Sequence, residues 1–405
     1  MDGRIFITGS GAVSALGLDR RQLLAGLLAG RSGIAPVRWL QTADRSFLVG
    51  EVPMDDAGMK SLLGLSPDTV ISRTSLMGIL ALKEALAAAG LDSGLDSGAL
   101  RTMPLISGTT VGGMDCSERY YRDFLSERHD YDAYLAIHDC GASTDAIAAY
   151  FGGSAFSTTL STACSSAANA VILGANLIKA GRFDRVAVGG SESLSDFHLN
   201  GFHSLMIVDR EPCRPFDKTR AGLNLGEGAA FLILESEASA VRRGVRPLAE
   251  LAGYGNACDA FHQTASSAEG EGPFLAMRQA LEMAGISADS VDYINAHGTG
   301  TPNNDASESA AIRRLFGADC PPVSSTKGFT GHTTSASGSI ESVICLLAMQ
   351  HGFIPANLNW KEADEACIRP VAALREGVRM DHVLCNSFGF GGNDSALLFS
   401  SVSGL

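Results

Sequence analysis

The chain has 405 residues, of which 45% are hydrophobic, 19% charged and 7% aromatic, with 46 Gly and 13 Pro. That is a globular composition, which excludes disorder, collagen and coiled coil, and the length suits two or three domains or one large layered one. The 31 Lys and Arg against 44 Asp and Glu leave a net charge of −13, which removes nucleic acids and anionic membrane surfaces from the expected partners.

No stretch approaches the roughly 18 uncharged apolar residues of a spanning helix. The opening MDGRIFITGSGAVSALG has no positive run ahead of an apolar core, so no signal peptide is expected. Nine Cys stand singly at 116, 140, 164, 213, 258, 320, 345, 367 and 385. An odd, unpaired set argues against a disulfide framework or a Cys-rich zinc site, and reduced thiols in the cytoplasm are expected.

In chain order, RIFITG (4–9) is expected as a buried strand leading into a Gly-rich turn. SLMGILALKEALAAAG (75–90) is expected as an amphipathic helix closed by Gly90. RTMPLISG, RVAVGG, AAFLILE, VDYINAH and HVLCNSF are further runs of strand length, and their alternation with Ala-rich helical patterns reads as α/β layering. RRGVRPLAE (242–250) is the expected join, giving halves 1–245 and 246–405. Each half offers, in the same order, a strand with a small-residue loop, a strand with a Gly/Thr turn, and a strand, tight loop and helix, which points to internal duplication.

FSTTLSTACSSAANAVILGANLIKAG (156–181) puts Cys164 between a β-branched strand and a helix, with only small residues after it. A thiol at a helix N-terminus meets unpaired N–H groups and the positive end of the dipole, which favour thiolate. The same N–H groups can hold an oxyanion. The plain alternative, a small buried hydrophobe, is the reading for the other eight Cys.

VDYINAHGTGTPNND (291–305) places His297 at a strand end before Gly298, Thr299, Gly300 and Thr301, whose hydroxyls suit an amide-bearing arm. SSTKGFTGHTTSASGSIE (324–341) places Lys327 and His332 on a loop entering a second helix, with Glu341 a few turns on, able to return to Lys327. Neither His sits in a HExxH helix or beside paired ligands, so metal binding is disfavoured. HVLCNSFGFGGNDSALLF (382–399) is two strands joined by Gly389, Phe390, Gly391 and Gly392. A Phe between glycines suits an aromatic lid, or a backbone N–H aimed at a reacting carbonyl, better than a simple turn. Neither this loop nor GSGAVSALG (9–17) completes a dinucleotide fingerprint.

With STACSS, NAHGTGTPNND, STKGFTGHTTSASGSIE and NSFGFGGND in this order, the chain resembles an elongating β-ketoacyl-acyl-carrier-protein synthase over essentially its full length. The resemblance implies the thiolase fold, with duplicated halves in five α-β-α-β-α layers. It implies that Cys164 takes an acyl chain from the phosphopantetheine arm of an acyl-carrier protein. A malonyl-carrier protein then loses carbon dioxide and its enolate attacks the acyl thioester. The N–H groups of Cys164 and Phe390 would form the oxyanion hole. His297 and His332 would donate to the malonyl carbonyl, Lys327 would organise them with Glu341, and Thr299 and Thr301 would hold the pantetheine amides. Val111 and Phe390 correspond to pocket wall and gate. No resident cofactor is implied, and a dimer is expected, either with a copy or with a related ketosynthase-like chain.

Two departures concern the substrate. TTSASG follows His332 where housekeeping enzymes usually have Gly-Ala-Ala-Gly, and Asn393-Asp394 follows the lid in place of Thr-Asn. Ser335, Ser337 and Asn393 are expected not to touch the triad, so the reaction stands while the pathway is open between fatty-acid elongation and a polyene, aryl polyene or other polyketide chain. The other functions weighed are the catalytic subunit of a ketosynthase/chain-length-factor pair and a non-elongating thiolase-fold acyltransferase. Cys164 argues against a non-catalytic partner subunit, and His332 against an initiating synthase. For docking, Arg210, Arg214, Lys218 and Arg220 form the basic cluster nearest the site. Arg210 and Arg214 are the expected carrier contacts, against internal pairing with Asp209, Glu211 and Asp217.

Overall fold

A computed structural model describes residues 3–91, 98–317 and 319–402. The first half runs β1 (Ile5–Val13), α1 (Arg73–Ala88), β2 (Leu105–Gly108), β3 (Ser157–Leu160), α2 (Ser166–Lys179), β4 (Arg185–Glu192), α3 (Asp196–Ser204) and β5 (Gly228–Ser236). The second runs β6 (Ala249–Cys258), α4 (Glu271–Ala284), β7 (Tyr293–Asn295), α5 (Pro302–Phe316), β8 (Val323–Ser324), α6 (Ser337–His351), β9 (His382–Gly389) and β10 (Asn393–Ser400).

These strands form one sheet in the order β3-β2-β4-β5-β1-β6-β10-β9-β7-β8. It is a duplication. In each half a parallel trio (β3-β2-β4, β8-β7-β9) meets an antiparallel pair (β5-β1, β10-β6). The halves join where Phe6 and Ile7 pair antiparallel with Glu250 and Ala249. Helices α2 and α6 touch each other and pack against strands of both halves, while α1 lies on β1 and β5 and α4 on β6 and β10. Burial of the apolar faces of α2 and α6 explains why twelve of the fifteen α6 residues are buried and why α2 carries Ala and Gly toward the sheet.

α1 begins where Ser72 accepts the Ser75 N–H, a cap worth about 1 kcal/mol, and ends at Gly90 in the left-handed region. The expected turn after Gly9 does not form, because β1 continues to Val13. Gly9 and Gly11 serve close packing instead: a Cβ on either would stand 2.2 and 2.1 Å from the carbonyl oxygens of Ala85 and Ala81 on α1. Among the described residues, no helix is long and apolar enough to cross a membrane, and the nine cysteines are unpaired.

Candidate active site

The duplication brings three loops to one place: the elbow before α2, the β7–α5 loop and the loop between β8 and α6. Ala163 holds φ +53°, a strained value for a residue with a side chain, and turns Cys164 sharply off β3 ahead of α2. The Cys164 Sγ lies 3.1 Å from His332 Nε2. His297 and His332 meet edge to face, ring centroids 5.2 Å apart, and all three residues are buried. Their ligand-type atoms fall within 4.8 Å of one another. That spacing would suit a thiophilic cation, but the Lys327 ammonium 3.3 Å from His297 Nδ1 opposes further positive charge.

Lys327, itself buried, donates to His297 Nδ1 at 3.3 Å, to the His297 carbonyl at 2.5 Å and to Glu341 Oε1 at 2.6 Å. A proton donor at Nδ1 leaves the imidazole proton on Nε2, so His297 is a fixed donor. Burial, then Lys327 and then His332 hold the His297 basicity well below its ordinary 6.5; burial, Lys327 and His198 do the same for His332. Both rings are neutral at physiological pH. The main chain of His332 is clamped by Asn224 O and Gly226 N–H at 2.8 and 2.9 Å.

The expected thiolate is corrected. Burial pushes the Cys164 thiol up to about 12, outweighing the opposing Lys327 charge and the Phe390 N–H bonded to the sulfur. The resting group is a thiol beside an imidazole. The Phe390 N–H does converge on Cys164, as expected of an oxyanion-hole donor. The hairpin β9–β10 turns through Gly391 and Gly392 at φ +79° and +75°, and the Phe390 ring stacks on Phe202 of α3 at 5.7 Å. The lid therefore closes aromatic on aromatic.

A cavity of about 300 Å³ opens onto this centre, lined by Cys164, His297, His332, Phe390, Thr299 and Thr301, with Phe202, Phe388 and Asn303 among its other walls. Thr299 and Thr301 hydroxyls lie 2.8 Å apart. Val111 is not in this lining; its N–H reaches Glu192 at 3.3 Å behind it. A larger open cleft of about 1330 Å³, lined by Arg73, Asp115, Cys116 and Arg119, contains none of the triad. Its Cys116 is held protonated by burial beside Asp115, so we place the chemistry in the smaller cavity.

Four contributors were not anticipated. Glu308 of α5 accepts the N–H groups of His297 and Gly298 at 2.9 and 2.7 Å and the Asn386 amide at 3.1 Å, fixing the histidine loop to β9. Glu192 gathers Thr109, Thr110 and Val111 from one side and Thr334 from the other. Phe202 receives the gate. Ser337 was expected to stand clear of the triad, yet its Oγ is 3.0 Å from His332 Nδ1. Ser337 follows His332 by five residues and is the first residue of α6, across the short turn Thr334–Ala336, so its nearness in sequence was readable but its direction was not. Among the described residues, neither Ser335, whose Oγ has no partner, nor Asn393, whose amide donates to the Phe390 carbonyl, hydrogen-bonds Cys164, His297 or His332.

The basic cluster is internally paired. Arg210 bonds Asp44 at 2.8 Å and lies over Phe47, Arg214 bonds Asp209 at 3.1 Å, Lys218 bonds Glu362 at 2.7 Å, and buried Arg220 bonds Asp364 at 2.6 Å.

The chain matches the family model "Beta-ketoacyl synthase, N-terminal domain" over residues 2–240 and "Beta-ketoacyl synthase, C-terminal domain" over 248–361. It is 34% identical to Nodulation protein E of Rhizobium meliloti (strain 1021), across 99% of this chain and 100% of that protein. It is 33% identical to 3-oxoacyl-[acyl-carrier-protein] synthase 2 of Coxiella burnetii, across 98% and 99% of the two chains. In structure it is similar to the ishigamide ketosynthase/chain length factor, with a TM-score of 0.90, 32% identity, and 99% and 100% of the two chains covered. With a duplicated five-strand plan, an elbow cysteine and two neutral histidines already in place, these matches over the full length mean that the chain belongs to the β-ketoacyl synthase family of condensing enzymes.

Proposed function

We propose that the chain catalyses both half-reactions of chain elongation at the Cys164 centre, on substrates carried by the phosphopantetheine arm of an acyl-carrier protein. The observation that carries this reading is the convergence of Cys164, His332 and the Lys327-capped His297 on one buried cavity. The Cys164 sulfur attacks the acyl thioester, its proton leaving with the pantetheine sulfur. The oxyanion forms against the N–H groups of Cys164 and Phe390. A malonyl thioester then enters along Thr299 and Thr301. His297 and His332 hydrogen-bond its carbonyl, so that loss of carbon dioxide leaves a stabilised enolate that attacks the acyl-cysteine. Neutral imidazoles suit this, since a donor, and not a strong base, is what an enolate requires. No resident cofactor is needed for either step.

Val111 is proposed as a wall of the acyl site behind Glu192. The sheet ends at β3, an edge flanked by exposed Phe156, and that edge is the proposed contact with a second copy or a related chain, in keeping with the ketosynthase/chain-length-factor likeness. The working compartment is taken as the cytoplasm. A specialised polyene or polyketide pathway is as well supported as fatty-acid elongation, because a polyketide synthase ketoacyl synthase subunit, 32% identical, matches 98% of the chain as the 3-oxoacyl-[acyl-carrier-protein] synthase does. Arg210 and Arg214 are proposed to meet the carrier by leaving Asp44 and Asp209.

The test is a paired rate measurement. His297→Ala is expected to cut malonyl decarboxylation about a hundredfold or more while acyl loading falls far less; condensation at the wild-type rate would refute the malonyl site. In the same assay Arg210→Glu should slow transfer from the carrier protein more than from a small acyl thioester, and equal slowing would remove the docking assignment.

A further inference from the structure

A third imidazole, His198, stands beside the catalytic cavity with a ring nitrogen left unbonded. His198 precedes Phe202 by one turn of α3, so the two share a face of that helix. Their rings meet edge to face at 4.8 Å, and Phe202 both lines the cavity and stacks on the Phe390 gate. The start of α3 is held against the segment after Val111: Ser195 Oγ accepts the His198 N–H at 3.0 Å and lies 3.2 Å from Met114 Sδ. The His198 ring is near enough to Glu192 and to His332 for charge to be felt between them. Burial outweighs the Glu192 charge and lowers its basicity, so the ring is neutral at physiological pH. A neutral imidazole has a donor and an acceptor to satisfy, yet Nδ1 is shut off from solvent and has no hydrogen-bond partner among the described residues. Glu192 is not in that state. It accepts the Thr109 and Thr334 hydroxyls at 2.6 and 2.8 Å, the Thr110 hydroxyl, and the Thr110 N–H at 2.9 Å. Enclosed polar groups are normally paired, and binding sites place a few such groups to meet polar atoms of the ligand.

We propose that His198 is a specificity-determining residue of the acyl site, selecting acyl groups that carry a hydroxyl or keto oxygen over plain hydrocarbon chains of the same length. This rests on the ketosynthase reading and names its substrate class. With Thr299 and Thr301 taking the pantetheine arm, an acyl chain on Cys164 leaves the sulfur on the other side, toward Phe202, Glu192 and His198. A hydrocarbon passing the His198 ring leaves Nδ1 unpaired and excludes any water that could serve it. An oxygen on the chain supplies the missing partner, and a site built to bond such a group discriminates against the analogue that lacks it. Both oxygen types fit a neutral ring, which donates to a keto group in one tautomer and accepts from a hydroxyl in the other.

The experiment follows single-turnover loading, by intact-protein mass, for wild type, His198→Leu and His198→Gln. The probes are a saturated medium-chain acyl-pantetheine thioester and chains of the same length bearing one hydroxyl or keto group at successive carbons. For at least one placement of the oxygen, the wild type is expected to load the oxygenated chain about tenfold or more faster than the saturated one. In His198→Leu that ratio should fall to within about twofold of unity, whereas His198→Gln, which keeps a donor and an acceptor, should retain most of it. Each ratio is taken within one protein, so a smaller active fraction cancels. The proposal is overturned if the wild type loads no oxygenated chain faster than the saturated one, a result that depends on no variant folding. It is equally overturned if His198→Leu keeps the wild-type ratio. A wild type that loads no acyl chain at all would instead refute the reading on which it rests.

Discussion

Lys327→Met is expected to reduce condensation at least about a hundredfold and to cost roughly 3 kcal/mol of stability. Both effects come from one ammonium. Lys327 fixes the His297 tautomer through Nδ1, and without it the donor at Nε2 is no longer assured. It also neutralises Glu341, whose carboxyl burial already raises to about 7 and whose Oε2 has no partner. Removing one member of a buried pair leaves the other charge uncompensated, whereas removing both can be nearly neutral. The double variant Lys327→Met/Glu341→Leu is therefore expected to regain most of the stability and none of the condensation rate. Chemical denaturation and a carbon dioxide release assay separate the two. Activity returning together with stability would mean that Lys327 serves the fold alone.

The second large effect is a gain. Asp394→Asn is expected to stabilise the protein by on the order of 5 kcal/mol at mildly alkaline pH, and by nothing below the ordinary carboxylate range. Asp394 is the second residue of β10, just after the lid. Its buried Oδ2 has no partner and lies where a Cβ on Gly272 would come within 2.1 Å. Burial, then Asp259 and Glu308, raise its carboxyl to about 8, against the single opposing N–H of Gly389. Below its ordinary 3.8 both folded and unfolded chains are protonated and no cost arises. Between 3.8 and about 8 the folded chain binds the extra proton, so stability falls as pH rises through that window and levels beyond it, at about 1.4 kcal/mol per unit. The asparagine variant lacks that slope. Denaturation midpoints of the two proteins that ran parallel from acid to alkaline pH would contradict the assignment.

How far the site was legible depended on the kind of interaction. Cys164, His297 and His332 announce themselves through small residues and strand ends, and Lys327 with Glu341 through a loop that enters the helix carrying the glutamate. Contacts across the chain were not readable. Glu308 in PNNDASESAA looks like a solvated helix charge, and only the fold shows it buried beneath His297. Ser337 looks like a neutral spacer because its direction depends on how α6 follows the His332 turn. The thiolate expectation failed for a related reason: a helix terminus is local and visible in sequence, whereas desolvation by surrounding layers is not, and here the latter prevails. Gly9 and Gly11 read as a turn in the sequence because a glycine required by a neighbouring helix looks the same there as one required by a bend. The duplicated order of elements was readable. The pairing of β1 with β6 that joins the halves was not, since it rests on two residue pairs.

The most direct measurement is intact-protein mass spectrometry after mixing the chain with acyl-carrier-protein thioesters bearing saturated, unsaturated and aryl chains, with Cys164→Ala alongside. A mass gain of one acyl group in the wild type, absent from the variant, is the predicted result, and the chains that load identify the substrate class. Loading that persists in Cys164→Ala would contradict the account.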